Sequence, residues 1–274
     1  MFSLAGKTTV VTGGGRGIGK GICRQMARAG ANVVIAGRTP ETLEATRAEC
    51  EALGVGALAV PADVTRLVDI ERIARAALER FGYIDCWVNN AGGGEAEDYG
   101  PLLEMTEAQW DAIVDLNLKA AFFGCQAAAR AMTRGGSIIN ITSRSGNTPA
   151  PATGQYGAAK AGLQSLSATM AVEWGHRNIR VNCVAPGVVP TETSEWIGKE
   201  SARKRQIETI PLRRLGSVDE MGAICVFFAS DEASWVSGQV LQAHGGNPSA
   251  ASLQRYLYHI NAQMDGREEK RPIR

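Results

Sequence analysis

Short apolar, β-branched runs alternate with longer segments of helical period almost from the start of the chain. Thr8–Thr12 (TTVVT) predicts a buried strand, followed by a glycine loop and an amphipathic helix through Ala29. Asn32–Ala36 predicts a second strand, after which Thr39-Pro40-Glu41 caps a helix to about Leu53. Leu58–Pro61, Ile84–Asn89, Ser137–Thr142 and Arg180–Ala185 read as further strands. They are separated by helices over Leu67–Phe81, from Thr106 onward, and through Trp174. Strands joined by helices of this length need crossover connections, so the pattern predicts an α/β fold: one doubly wound parallel sheet with helices on both faces. Two stretches break the rhythm, Gly187–Leu215 and the tail after Gly246.

Composition narrows the function. The 274 residues carry 29 Lys+Arg against 28 Asp+Glu, so no overall charge attracts nucleic acid or an anionic membrane. No apolar run approaches the roughly 20 residues that span a bilayer. The start, Met1–Lys7, lacks an export signal, so a cytoplasmic location is expected. The six cysteines (Cys23, Cys50, Cys86, Cys125, Cys183, Cys225) form no C-x-x-C pair, and the three histidines are dispersed. Reduced buried thiols, and neither disulfides nor a metal site, are the reading. The 32 glycines exceed ordinary usage and gather at turns, where backbone can approach a ligand.

The sequence Thr12-Gly13-Gly14-Gly15-Arg16-Gly17-Ile18-Gly19 lies between the first strand and its helix. There, backbone N–H groups and a helix N-terminus suit a pyrophosphate. The spacing is G-x-x-x-G-x-G, because Ile18 stands where the usual dinucleotide loop has its last glycine. At the end of the second strand, Ala36-Gly37-Arg38-Thr39 offers no acid before Glu41. A carboxylate there would repel a 2′-phosphate, whereas Arg38 binds one, with Arg16 approaching from the loop. NADP(H) is therefore favoured and NAD(H) is the alternative. Solvated surface charge is the bland reading of both arginines.

Together with Asp63-Val64, Asn89-Asn90-Ala91-Gly92, Asn117, Ser143, Tyr156-Gly157-Ala158-Ala159-Lys160 and Pro186-Gly187, this loop resembles the short-chain dehydrogenase/reductase family. The motifs are collinear from about Leu4 to Gly246. The resemblance implies a Rossmann-type domain over residues 1–247, a substrate lid at about 188–215, and a C-terminal extension over 248–274. It implies hydride transfer between NADP(H) and a ketone or secondary alcohol, without metal. In such enzymes the residue at Tyr156 exchanges a proton with the substrate oxygen and the residue at Ser143 holds that oxygen. Lys160 binds the nicotinamide ribose, and Asn117 supports a water linked to the lysine.

Cofactor contacts are expected from Gly13, Gly15, Arg16, Gly17, Ile18 and Gly19 in the loop, and from Arg38, Asp63 and Val64 at the adenosine. Asn90, Ala91 and Gly92 follow the fourth strand. Tyr156 and Lys160, then Pro186, Gly187, Val189 and Thr191, surround the nicotinamide. Tyr156 and Lys160, four apart on one helix, share a face. The ammonium favours the phenolate; acidification by about three units needs a dry pocket that also holds the positive nicotinamide.

Singly, each residue has a plainer explanation: a solvated Tyr–Lys pair, a capping serine, a core amide, and an Asp63 that caps the next helix. Small residues at Ala150, Ala152 and Gly154 are expected to line the pocket. A charged run (Lys199, Arg203, Lys204, Arg205) beside Trp196 and Ile197 suits an anionic acyl thioester or is a solvated helix face. The substrate is thus a small carbonyl or alcohol, either a 3-oxoacyl thioester or a cyclic ketone, sterol or sugar. A homotetramer is expected, with an alanine face (Ala120, Ala121, Ala127, Ala128, Ala131) available for helix contact. Leu253–Ile260 is expected to fold over a neighbouring subunit or the substrate mouth. A catalytically silent nucleotide-binding regulator of the same fold is the alternative, and the retained Tyr156 and Lys160 argue against it.

Overall fold

The computed structural model describes residues 2–192 and 200–246. Seven strands form one parallel sheet in the order β3-β2-β1-β4-β5-β6-β7. They are β1 (Thr8–Thr12), β2 (Asn32–Gly37), β3 (Ala57–Pro61), β4 (Cys86–Asn89), β5 (Gly136–Ile141), β6 (Ile179–Pro186) and β7 (Val240–Ala243). β7 is an edge strand that the periodicity did not single out, because its Val-Leu-Gln-Ala is short and half-buried.

Successive strand residues serve opposite faces. Val11, Val33 and Ile35 pack with α1 (Gly17–Arg28), α2 (Pro40–Glu51) and α8 (Val218–Ala229). Val10, Val34 and Ala36 pack with α3 (Leu67–Phe81), α5 (Ala120–Ala131) and α6 (Gly154–Trp174). Burial on both faces explains why the strands are almost continuously apolar. All six cysteines are buried and unpaired.

The predicted long helix from Thr106 is two helices joined by a wide turn. A Thr106–Gln109 capping box starts α4 (Glu107–Val114), and a π-helical turn over Asp115–Lys119 leads into α5. The alanine face is spent internally: Ala120, Ala121 and Ala128 are buried, and Ala127 and Ala131 pack against the core.

The irregular stretch after Gly187 contains α7 (Glu200–Thr209), on which Arg203 and Lys204 are exposed. Trp196, Ile197 and Lys199 lie outside the described residues, as does the tail with Leu253–Ile260. Among the described residues no helix is long and apolar enough to cross a membrane.

Strand order reverses between β1 and β4, so the crevice for a ligand opens at their carboxyl ends. The glycine loop and Asn89–Gly92 meet there.

Candidate active site

Thr12 ties the two sides of the crevice together. Its hydroxyl oxygen accepts the N–H groups of Asn90 (3.0 Å) and Ala91 (3.1 Å). Asn90 returns its amide to the carbonyls of Thr12 (3.0 Å) and Gly13 (3.2 Å), bracing the loop from below.

Gly13 and Gly17 have φ of +65° and +53°, which L side chains rarely adopt. A methyl group at Gly19 would stand 2.1 Å from the Gly13 carbonyl oxygen, so this glycine lets α1 pass over the loop. One at Gly15 would meet Thr42 Oγ1 at 2.5 Å. Ile18 points its side chain into the core.

The α1 N-terminus has no acid in its first turn and no side-chain cap from Arg16, which is exposed. Its Gly17 N–H instead donates to the Glu192 carboxylate at 2.9 Å. An anion therefore already sits where the loop was expected to receive a pyrophosphate, and the donor set fits a dinucleotide diphosphate.

Where the adenosine is expected, Arg38 is exposed and makes no ion pair among the described residues. Partial burial raises the Asp63 carboxyl, but hydrogen bonds from the Thr65 N–H (3.0 Å) and hydroxyl (2.7 Å) outweigh it. With Arg38 and Arg66 nearby, they hold the group below the ordinary carboxylate range. Asp63 thus closes a turn before α3, whose N-cap residue is Arg66, and Val64 is core.

The residues expected at the reaction centre converge. Tyr156 and Lys160 project from the first turns of α6, and Ser143 follows β5 as the cap of a short turn, accepting the Ser145 N–H at 3.1 Å. Lys160 is 3% exposed and donates to the Ile141 carbonyl at 3.0 Å. Its Nζ lies 5.5 Å from the centroid of the Tyr156 ring. Asn117, fully buried in the π turn, donates to the carbonyls of Gly93 (2.6 Å) and Ile113 (3.0 Å) and accepts the Gly93 N–H at 2.8 Å. A methyl group at Gly92 would lie 2.7 Å from Asn117 Oδ1 and 3.1 Å from Lys160 Nζ. Asn117, Lys160 and the backbone after β4 therefore share one point.

The chain's own groups do not acidify Tyr156. Burial pushes the phenol up, and a hydrogen bond with the Ser143 hydroxyl opposes it without winning. Burial also pulls the Lys160 ammonium down to about 8, against a small opposing influence from Cys183. Nζ is turned to a neutral carbonyl, and the expected acidification is left to the positive nicotinamide.

Gly187 donates its N–H to the Ala243 carbonyl (2.9 Å), and a methyl group there would meet His244 Cβ at 2.6 Å. Here glycine serves the join to β7. Pro186 and Val189 are buried, whereas a methyl group at Gly17 would come 3.1 Å from Thr191 Cγ2. Thr191 therefore lies over the glycine loop. Ala152 has φ of +64°, and Gly154 faces Leu102.

Sequence reading did not foresee the bracing role of Thr12, the π turn or Glu192. Of the three, only Thr12 had a local signal, a hydroxyl at the end of a strand beside a glycine loop.

A family model described as enoyl-(acyl carrier protein) reductase matches residues 13–247. The chain belongs to the short-chain dehydrogenase/reductase family. Among relatives of this short-chain enzyme, glucose 1-dehydrogenase 2 of Bacillus subtilis is 35% identical, the match covering 89% of this chain and 95% of the relative. A 3-oxoacyl-(acyl-carrier-protein) reductase of Thermotoga maritima is 37% identical, with 89% and 98% covered. The solved structure of a short-chain dehydrogenase from Burkholderia cenocepacia in complex with NADP superposes with a TM-score of 0.82 at 33% identity, covering 89% of this chain and 98% of that one. This short-chain dehydrogenase/reductase is an NAD(P)-dependent oxidoreductase acting on CH–OH and C=O groups. The silent-regulator alternative finds no support in these comparisons.

Proposed function

We propose that the protein is an NADP(H)-preferring reductase of ketones or dehydrogenase of secondary alcohols, with Ser143, Tyr156, Lys160 and Asn117 as its working set. The observation that carries the reading is the buried ammonium of Lys160, fixed between Ile141 and Gly92, beside a phenol hydrogen-bonded to Ser143. In reduction, the bound dinucleotide supplies the hydride. Ser143 donates its hydroxyl to the substrate oxygen, where it now meets the phenol. Tyr156 passes its proton to that same oxygen as charge develops there. Lys160 holds its ammonium one helical turn away, and only together with the positive nicotinamide of the bound cofactor does it favour the phenolate that remains. Asn117 fixes Gly93, and through it the backbone against which Lys160 rests.

Preference for the phosphorylated cofactor is supported by Arg38, exposed at the end of β2 and without an ion pair among the described residues, and by the absence of an acid before Glu41. The Burkholderia cenocepacia relative, which holds NADP, agrees with it.

For substrate, a 3-oxoacyl thioester is favoured over a cyclic ketone, sterol or sugar. The exposed Arg203 and Lys204 on α7 and the Thermotoga maritima relative support it. We read the protein as a cytoplasmic homotetramer; the unpaired buried thiols suit a reducing compartment and β7 offers an open sheet edge.

The test is NADPH oxidation with acetoacetyl thioesters and a panel of cyclic ketones, for wild type and Tyr156→Phe. Wild type is expected to turn over a carbonyl substrate and the variant to lose at least about 100-fold in kcat, as for a general acid. Turnover of an enoyl thioester alone, or an unimpaired Tyr156→Phe variant, would defeat the proposal.

A further inference from the structure

The α1 N-terminus is engaged by a residue from far along the chain. Glu192 follows β6, and its Oε2 accepts the Gly17 N–H at 2.9 Å. Its neighbour Thr191 packs where a side chain on Gly17 would stand, so the dipeptide is seated on the glycine loop as a unit. The helix makes the seat: no acid in its first turn and no side-chain cap leave its positive end without local compensation.

A carboxylate and a diphosphate ask for the same thing, an N–H at a helix N-terminus, and one N–H pointed into a crevice serves one anion at a time. We propose that Glu192 is a built-in competitor for the diphosphate of the dinucleotide, displaced each time cofactor binds. The inference rests on the dinucleotide reading above.

Two consequences follow from the geometry. The apparent affinity for cofactor is lowered by the fraction of molecules in which Glu192 holds the loop. Cofactor arrival also frees Thr191 and Glu192 from Gly17, so occupation of the loop and the position of the segment after β6 are coupled.

The test is calorimetric titration of NADP+ and of ADP-ribose, which carries the diphosphate without nicotinamide, into wild type, Glu192→Gln and Glu192→Ala. A carboxylate at a helix N-terminus predicts that both variants bind both ligands about two- to fivefold more tightly. The unliganded melting temperature should stay within about 2 °C of wild type, because Glu192 is exposed and lies outside the core. Unchanged or weaker binding in either variant overturns the competitor role. A wild type that binds neither ligand overturns the dinucleotide reading itself, and the two failures are thereby told apart.

Discussion

Lys160 donates its ammonium to the carbonyl oxygen of Ile141 at 3.0 Å, at the very end of β5. Among the described residues this buried cation is thus partnered by a neutral acceptor and by no carboxylate. The carbonyl dipole orients Nζ but does not repay its desolvation in full, which is why the group is pulled down to about 8.

That depression sets a pH dependence of stability. Below pH 8 both folded and unfolded chains carry the Lys160 proton, and the burial cost is fully present. Between about 8 and the ordinary 10.5 only the unfolded chain holds it, so stability rises with pH. Measured as the difference between wild type and Lys160→Met, which cancels the cysteines and tyrosines, the gain should approach about 3 kcal/mol across that window. Urea melts at several pH values give the curve. A flat difference would mean that Nζ is solvated.

Gly92→Ala forces a methyl group to 2.7 Å from Asn117 Oδ1 and 3.1 Å from Lys160 Nζ. One of the two must shift, and displacements of this size cost about tenfold to 100-fold in kcat. Circular dichroism should remain that of wild type. Normal kcat in a folded Gly92→Ala protein would show that the contact is idle.

Arg38→Ala should weaken NADPH about tenfold or more and leave NADH nearly unchanged, since only one of them bears the 2′-phosphate. Paired fluorescence titrations measure both. Equal losses would refute the assignment of Arg38 to that phosphate.

The sheet was legible because strands buried on both faces recur as short runs rich in β-branched residues, as at Thr8–Thr12 and Arg180–Ala185. The candidate site was legible for a different reason: Tyr156 and Lys160 are one helical turn apart, and the loop glycines are forced by backbone geometry. What escaped depends on contacts that linear spacing does not encode. The junction of Gly92, Asn117 and Lys160 joins three separate segments. The contest over the Tyr156 phenol is between burial and Ser143, and burial is a property of the folded chain. Glu192 reads locally as one more polar residue after a strand.

The π turn at Asp115–Lys119 inserts a wide turn into a rod that otherwise runs from Glu107 to Ala131. Widening one turn rotates everything beyond it about the axis, so the front and rear halves present differently phased stripes to their surroundings. The front half leans on α6, while the rear half beds on α3 and the sheet. A single continuous element therefore answers to two sets of neighbours, and deleting one residue between 115 and 119 would satisfy the sheet only by swinging Asn117 away from the backbone it steadies.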